Sequence, residues 1–449
     1  MSGVDFASVP LLATRTLVIV DVIAAILVVI LFVRPRRRGH WRLVVLLSLV
    51  VGAALGGVTV WYVGDVQNAF GVSPTWVDRI WVGAVFAGIC LALVNVVLAG
   101  WIRKIVAVVA LFVFVVAGGL AINRDVGEYL TPGQLLGTTT APDLSLPKPL
   151  IASGTGSIVS LGTQFNPFLY RTWHPPITMP KVGTVGQITI PATVSHFDAR
   201  KAWVYMPPAA LVRDAPALPV VVLMSGQPAS PGTVMVSGNI PSTLDAMAAK
   251  NHGLAPIVVV PDQLGPSEGN PMCVNGKLGN SATYLTVDVP NWIRTHLHVE
   301  ADRRAWVVGG FSQGGTCSLQ FATGDPKLFG SFIDVAGEEY PTLATDAQAV
   351  SEGFAGNAAA FDRAKPVEIM RAHSRYPDTV GFFAVGQDDT KYGQSMRVTA
   401  AAAESAGIKV VRDVIVGSGH DWTTATNGFA SGLGYLFPRL GLASGVQKP

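Results

Sequence analysis

The chain has 449 residues, of which half are hydrophobic and only 14% are charged, and its formal net charge is +3. A soluble globular domain carries about a quarter charged residues, so this composition indicates a membrane protein with more than one domain. The small net charge, without a basic patch that contains aromatic residues, argues against nucleic acid as a partner.

Four apolar runs lie before residue 125, at about 15–33, 43–63, 79–100 and 105–123. Each is close to the ~20 residues that an α-helix needs to cross ~30 Å of hydrocarbon. The first run is too long for a cleavable signal peptide, and no small-residue cleavage site follows it. Residues 1–124 are therefore predicted to form an all-α transmembrane domain of four helices.

The basic residues between these runs predict the orientation of the helices. Residues 34–42, RPRRRGHWR, join the first two runs, and Arg103 and Lys104 lie between the last two. The N-terminal tail and the 64–78 loop carry few positive charges. Positively charged segments stay in the cytoplasm. The chain is therefore expected to be a multi-pass cell-membrane protein with its N-terminus and everything after residue 124 on the extracytoplasmic side.

Two features inside the predicted helices bear on packing and function. Gly52 and Gly56 have the spacing of small residues that lets two helices approach closely. Asp21 lies within the first helix, and an intramembrane carboxylate is a candidate for function. A carboxylate this near the interface also suits contact with water or with a neighbouring helix, so the role of Asp21 stays open.

Residues 125–182 are predicted to be a connector, because they are rich in Pro, Gly, Ser and Thr and show no sustained period. Four aromatic residues in its second half suit a segment that lies along the membrane surface: Phe165, Phe168, Tyr170 and Trp173. A tether with some aromatic anchoring is the interpretation that we favour.

Residues 183–449 alternate between strand and helix patterns, which is typical of an α/β domain. The segments GQITIPATVS and KAWVYMPP are predicted to pair as antiparallel strands. Continuously apolar runs such as LPVVVLMSG and RAWVVGGFS follow, as expected of strands buried on both faces of a mostly parallel sheet. Helical segments lie between these runs, so helices are expected on both faces of the sheet.

The segment Gly310-Phe311-Ser312-Gln313-Gly314 has the pattern G-x-S-x-G between an apolar strand and a helix. A sharp turn at this place needs small residues on both sides of the serine. It lifts the Ser312 hydroxyl to the helix N-terminus and makes it a candidate nucleophile. A structural serine in a glycine-rich turn is the alternative.

A serine nucleophile needs a base that takes its proton and an acid that orients the base. With this motif the chain order is serine, acid, histidine. His420 is the histidine that follows a late strand in a turn-like segment, VGSGHDW. The acid is expected after the strand VGFFAVG, where Asp388 and Asp389 follow, and the common G-x-x-D spacing favours Asp389 over Asp388.

The anionic intermediate of acyl transfer needs two main-chain N–H donors. Gln313, the residue after the candidate nucleophile, is expected to supply one. The loop SGQPASPG, which follows the strand VVVLM, is expected to supply the other at Gln227. Gly226 lets the chain come close to the substrate at this point.

The chain resembles the esterase D and mycolyltransferase branch of the α/β-hydrolases over residues 183–437. The resemblance is carried by ATYLTVDVPNWIRTHL, GGFSQGGTCSLQFATGDPKLFGSFIDVAGE, VVVLMSGQP and GSGHDW. It implies an α/β-hydrolase fold and hydrolysis or transfer of acyl esters through a seryl acyl-enzyme, and it supports Ser312, His420 and Gln227. The mycolyltransferases of this branch use glutamate as the acid, so the aspartates of this chain favour a general esterase.

The three cysteines have no metal-ligand spacing, and two of them, Cys273 and Cys317, lie in the expected extracytoplasmic domain. That compartment permits disulfides. Cys317 lies early in the helix after Ser312, and Cys273 lies in the loop after a neighbouring strand. A disulfide that pins this loop to the active-site helix is predicted, with two free buried thiols as the alternative.

The sequence therefore predicts a membrane-anchored, extracytoplasmic serine esterase or acyltransferase, and the family resemblance implies an actinobacterial source. Its expected substrate is an acyl ester of a membrane lipid or of a cell-envelope glycolipid. The alternatives are a transporter or sensor with a catalytically silent α/β binding domain, and a peptide hydrolase. No metal or organic cofactor is expected. The acyl chain, the alcohol, the choice between hydrolysis and transfer, and the oligomeric state stay open.

Overall fold

A computed structural model of the protein describes residues 6–33, 40–67, 74–136, 141–144, 165–266, 269–373 and 375–445. The chain divides into two compact units, Met1–Thr139 and Thr140–Pro449. The division falls inside the predicted connector. Each unit has its own core.

The first unit is all-α. Its helices are α1 Thr14–Phe32, α2 Trp41–Val60, α3 Trp76–Leu98, α4 Trp101–Val126 and the short α5 Pro132–Leu135. A π-helical turn, Trp61–Val66, continues α2. Helices α1 to α4 are long and apolar enough to cross a membrane, so the prediction of four such helices is confirmed. α3 and α4 begin three or four residues earlier than predicted, because hydropathy marks the apolar part of a helix and not its polar ends.

Small residues bring α2 and α3 together, as the spacing of Gly52 and Gly56 predicts. A Cβ atom added to Gly52 would lie 2.5 Å from the carbonyl oxygen of Phe86, and one added to Gly56 would lie 2.8 Å from Cα of Gly83. The two backbones are therefore in direct contact at both glycines. Within the described residues, Asp21 is exposed and makes no hydrogen bond to a neighbouring helix.

Arg103 joins three helix ends at one end of this bundle. Its guanidinium donates to the carbonyl oxygens of Leu31 and Val33 at the end of α1, both at 2.9 Å. It also donates to Oδ1 of Asn95 near the end of α3 at 3.0 Å. These bonds satisfy carbonyl groups that the end of a helix leaves without an intrahelical partner. The end of α1 and the start of α4 therefore lie at the same end of this bundle.

The second unit is α/β. Its strands are β1 Thr184–Ile188, β2 Ala202–Met206, β3 Val220–Met224, β4 Ile257–Val260, β5 Asn275–Gly276, β6 Gly279–Asn280, β7 Trp306–Phe311, β8 Ser331–Val335, β9 Val380–Gly386 and β10 Lys409–Ile415. Its helices are α6 Leu169–Thr172, α7 Pro231–Val236, α8 Ile240–Lys250, α9 Ser281–Thr283, α10 Val289–His296, α11 Gln313–Gly324, α12 Asp346–Gln348, α13 Ala358–Ala364, α14 Pro366–Ala372, α15 Thr390–Ser405 and α16 Trp422–Leu436.

Eight strands form one sheet in the order β1-β2-β4-β3-β7-β8-β9-β10, and β5 and β6 form a separate hairpin. The β1–β2 and β2–β4 pairs are antiparallel, and the pairs from β4 to β10 are parallel. Every residue of β3, β7, β8 and β9 is buried. The predicted α/β fold is confirmed, and the parallel strands direct their carboxyl ends to a single edge of the sheet, where a ligand site is expected.

The first strand ends earlier than its sequence pattern suggests. Pro191 lacks an N–H for a sheet, and the chain beyond it bonds to Asp288 instead. The backbone N–H groups of Val194 and Ser195 donate to the Asp288 carboxylate at 2.9 and 3.0 Å. These hydrogen bonds, with that from the Ser195 hydroxyl, hold the pKa of Asp288 below its usual range against the effect of burial.

Part of the predicted connector packs on the second unit. Phe165 is buried, and the Arg304 guanidinium lies over its ring at 4.7 Å. Trp173 donates its indole N–H to the carbonyl oxygen of His252 at 3.1 Å. Asp143 forms a bridge with Gln187 of β1. The second unit therefore contains folded residues before 183, and Phe165 is not free to contact a membrane. Residues 145–164 of the connector lie outside the described residues.

Candidate active site

The loop between β7 and α11 presents Ser312 in a strained conformation. Ser312 has φ 56° and ψ −121°, a region that residues with a side chain rarely adopt. Glycines make the turn possible. A Cβ atom on Gly310 would lie 2.3 Å from the carbonyl carbon of Gly314, and one on Gly314 would lie 2.5 Å from the carbonyl oxygen of Met224. The pattern G-x-S-x-G is thus required by close contact of the backbone with itself and with β3.

The structure brings Ser312, His420 and Asp389 together, although 108 residues separate the first two. Nε2 of His420 lies 2.9 Å from Oγ of Ser312, and Nδ1 lies 2.8 Å from Oδ2 of Asp389. A carboxylate can only accept a hydrogen bond, so Nδ1 carries the ring proton and Nε2 presents its lone pair to the serine hydroxyl. The side chains of His420 and Asp389 are only 12% and 4% exposed, which strengthens their interaction.

The two neighbouring aspartates differ in position. Asp389 is buried, and its second oxygen, Oδ1, accepts the backbone N–H of Tyr392 at 3.0 Å and so caps α15. Asp388 is exposed, and its backbone N–H donates to the carbonyl oxygen of Ser418 at 2.9 Å. The geometry therefore favours Asp389 as the partner of the histidine. Asp389 thus both caps α15 and bonds to the histidine, while Asp388 faces solvent.

Two aromatic rings hold the imidazole of His420 from both sides. The ring of Tyr392 stacks on it with a centroid distance of 3.9 Å, and the ring of Phe311 does so at 4.8 Å. Tyr392 also interacts with Ser312, and burial together with the charges of Glu338 and Asp389 raises the pKa of its phenol. An imidazole between two aromatic faces is fixed in orientation, and the electron-rich faces stabilise it when it becomes a cation.

The two predicted main-chain donors lie beside Ser312. Gln313 is the first residue of α11, where a backbone N–H has no intrahelical partner. A Cβ atom on Gly226 would lie 3.1 Å from Cβ of Ser312, so the loop that contains Gln227 passes directly by Ser312. Within the described residues, neither Gln227 nor Gln313 uses its backbone N–H in a hydrogen bond. Both N–H groups are therefore free to bind an anion.

Cys273 and Cys317 are joined as a disulfide, with their Cα atoms 5.5 Å apart. Cys317 lies one turn into α11 from Gln313, and Cys273 lies in the loop between β4 and the β5–β6 hairpin. The third cysteine, Cys90, is a free thiol in α3. The cross-link fixes the loop after β4 to α11, the helix that begins directly after Ser312.

Two carboxyl groups with raised pKa values lie at the end of β8 and in the chain that follows it. Burial raises the pKa of Asp334, at the end of β8, to about 7, and its Oδ1 accepts the backbone N–H of Gly337 at 2.9 Å. Burial raises the pKa of Glu338 to about 7 as well, although the charge of Lys391 opposes the rise. Within the described residues no group of three or more His, Cys, Asp or Glu side chains has the arrangement of a metal site.

Comparison with known proteins identifies the family. A family described as a putative esterase matches residues 197–429, which is more than half of the chain. The chain is 32% identical over 306 residues to an uncharacterized protein of Corynebacterium glutamicum, a match that covers 66% of this chain and 71% of that protein. The chain belongs to the putative esterase family. It is therefore a serine ester hydrolase with an α/β-hydrolase fold, as predicted, and the alternative of a catalytically silent binding domain is disfavoured.

Solved structures similar to this chain include a ferulic acid esterase, with 17% identity and a TM-score of 0.49 over 59% of this chain and 100% of that one. They also include an S-formylglutathione hydrolase from Agrobacterium tumefaciens. It has 20% identity and a TM-score of 0.49 over 58% of this chain and 97% of that one.

Several side chains at the site were not predicted from the sequence. Tyr392 and Phe311 contact the histidine, the backbone N–H of Glu338 donates to Thr316 in α11, and Asn270 and Gln263 bond to the side chains of Gln227 and Gln313. Phe311 and Tyr392 each have a usable signal, because they lie within three residues of Ser312 and Asp389. Asn270 and Gln263 follow β4 in a segment without periodic pattern and have no such signal.

Proposed function

We propose that Ser312 is the nucleophile of this esterase, that His420 is the general base and that Asp389 orients the base. Oγ of Ser312 attacks the ester carbonyl carbon while Nε2 of His420 takes the hydroxyl proton. The N–H groups of Gln227 and Gln313 stabilise the oxyanion that forms. The continuous hydrogen-bonded chain from Ser312 through His420 to Asp389 carries this assignment.

The second half of the reaction releases the acyl group. His420, protonated in the first step, donates its proton to the departing alcohol, and an acyl ester on Ser312 remains. Water or an acceptor alcohol then attacks this ester as His420 takes the proton from the attacking oxygen. The product is a free acid with water and a new ester with an alcohol.

The assignment is tested by turnover of p-nitrophenyl esters and by labelling with a fluorophosphonate probe. Ser312→Ala is expected to abolish both labelling and nearly all turnover. Ser395→Ala is the matched control, because Ser395 is a half-buried residue of α15 whose hydroxyl, within the described residues, donates to the carbonyl oxygen of Lys391 at 3.4 Å. Labelling that persists in the Ser312→Ala variant would place the nucleophile elsewhere.

The substrate that we propose is an acyl ester of a lipid or envelope glycolipid in the outer leaflet of the cell membrane. Four long apolar helices support this, since one would suffice as an anchor. A short tether raises the effective concentration of a membrane substrate to about the millimolar range. Phe168, Ile177 and Val182 are exposed before β1, and apolar side chains of this kind suit the membrane interface.

The lipid proposal is tested by separating the units. The full chain in vesicles is compared with residues 141–449, which keep the bridge between Asp143 and Gln187. Both forms are expected to cleave p-nitrophenyl acetate equally, whereas the detached form should cleave a vesicle-resident acyl ester at least about tenfold more slowly. Equal lipid turnover by the two forms would mean that the helices serve another purpose.

A further inference from the structure

One buried amide side chain, that of Asn270, bonds to the side chains of Gln227 and Gln313, whose backbone N–H groups form the proposed anion site. Its Nδ2 donates to Oε1 of Gln227 at 2.7 Å, and its Oδ1 accepts from Nε2 of Gln313 at 3.3 Å. The remaining bonds of Asn270 go to the carbonyl oxygen of Thr342 at 3.3 Å and to the backbone N–H of Met272 at 3.0 Å. All four hydrogen-bonding positions of the amide are therefore used.

Gln263 extends the same network from Gln313 to the loop after β3. It is fully buried, and its Nε2 donates to Oε1 of Gln313 at 3.1 Å and to the carbonyl oxygen of Ser225 at 2.6 Å. Ser225 directly precedes Gly226 in the loop after β3. The start of α11 and the loop after β3 are thus linked twice, once through Asn270 and once through Gln263.

The network is held by the cross-link that lies beside it. Cys273 is three residues after Asn270 and is bonded to Cys317 in the second turn of α11. Nε2 of Gln313 also lies 3.7 Å from Sγ of Cys273. A segment fixed at Cys273 cannot move away from α11, so Asn270 is held at a constant distance from Gln313.

We propose that Asn270 is a positioning residue for the anion site of this esterase. It holds the loop of Gln227 and the start of α11 at the separation at which their two backbone N–H groups bind one oxyanion. Donors fixed in place before the reaction need no reorganisation when the charge develops. The proposal rests on the roles given above to Ser312, Gln227 and Gln313. The amide of Asn270 acts through Gln227 and Gln313 and does not itself touch the substrate.

The test uses the full chain in detergent, with p-nitrophenyl esters for kcat and KM and phenylboronic acid as an analogue of the tetrahedral intermediate. Removing an anion-site donor costs about 100- to 1,000-fold in kcat, so loosening one is expected to cost about 10- to 100-fold. Asn270→Ala should therefore lower kcat by that factor, raise the inhibition constant of phenylboronic acid in parallel, and leave KM nearly unchanged.

Gln227→Met is a second test of the proposal, because it keeps the backbone N–H of residue 227 and removes the side-chain oxygen to which Asn270 donates. It is expected to lower kcat in the same way, and the double variant should lose little more than either single variant. Asn275→Ala is the matched control. Asn275 lies five residues after Asn270, in β5, and its exposed side chain bonds to Thr283, so its removal should leave kcat within about twofold.

The outcomes distinguish a failure of the Asn270 proposal from a failure of the assignment of Ser312 as the nucleophile. A folded Asn270→Ala chain with the kcat and boronate affinity of the unmodified chain would overturn the positioning role. If Asn270→Ala does not fold, Gln227→Met decides, and unchanged kcat in that variant would overturn it equally. Full turnover in Ser312→Ala would instead overturn the nucleophile assignment on which both rest.

Discussion

Replacing Cys273 and Cys317 together by alanine is expected to destabilise the second unit by about 4 kcal/mol. The disulfide closes a loop with a sequence separation of 44 residues. In the chain-entropy description, closing such a loop removes about 13 cal/mol/K from the unfolded chain, which is about 4 kcal/mol at 25 °C. The unfolding entropy of the second unit, Thr140–Pro449 with roughly 310 residues, is about 0.65 kcal/mol/K, so the Tm should fall by about 6 °C.

Thermal unfolding of the full chain in detergent measures this shift, with the fluorescence of the second unit as the signal. The unmodified chain with and without reductant is compared with the double variant, and reductant should affect only the unmodified chain. Cys90→Ala is the matched control, because Cys90 is a free thiol in α3. Turnover should fall as well, since the cross-link holds the segment that contains Asn270.

Two results would refute this reasoning. The first is mass spectrometry of unreduced protein in which both Cys273 and Cys317 are alkylated, because a disulfide cannot react. The second is a double variant whose Tm equals that of the unmodified chain. In that case native contacts, such as the bonds of Asn270 to Met272 and Thr342, would hold the loop in place without the disulfide.

Three further predictions follow from the fold and the site. Asp389→Asn is expected to lower turnover by about 10⁴-fold, whereas Asp388→Asn should leave it nearly unchanged; similar losses in both would contradict the assignment of the acid. The unmodified chain is expected to lose free energy of unfolding as the pH rises from about 4 to 7, and Asp334→Asn should remove the part of this loss that Asp334 causes. Asp334 has a raised pKa of about 7 when folded, so the unmodified chain must bury a charge above that pH, at a cost of at most about 4 kcal/mol. Urea unfolding at pH 4 and pH 8 measures how much free energy of unfolding each protein loses over this range. Equal losses in the unmodified chain and in Asp334→Asn would refute the prediction. Protease added to intact spheroplasts should remove residues after 140, and full protection would mean that the orientation is reversed.

The sequence predicted the features that depend on long patterns. The four long helices follow from runs of apolar residues close to the thickness of a bilayer, and the strands β3, β7 and β9 follow from continuously apolar runs between polar segments. The sharp turn at Ser312 was predicted from the glycines around it, because a strained turn accepts only small residues at these positions. In each case many residues, or a hard steric limit, point to the same structure.

Features that depend on one side chain in irregular chain were not predictable in this way. Asn270 lies beyond β4, where no period indicates which residues face inward, and its four partners come from four separate segments. The packing of Phe165 on Arg304 was missed for a related reason. A segment rich in Pro and Gly has no periodic pattern, but a single aromatic side chain is enough to bind it to a folded surface.

Asp389 has two roles, as the N-cap of α15 and as the partner of His420. Asp389 caps α15 with one oxygen and accepts the Nδ1 proton of His420 with the other. Tyr392, whose N–H is capped, stacks on the same imidazole. In Asp389→Asn the amide oxygen keeps the cap, and the amide nitrogen then donates to Nδ1 and moves the ring proton to Nε2. An imidazole with a proton on Nε2 cannot take one from Ser312. Turnover should therefore be lost while the Tm changes little, since the helix cap and the stacked ring stay in place.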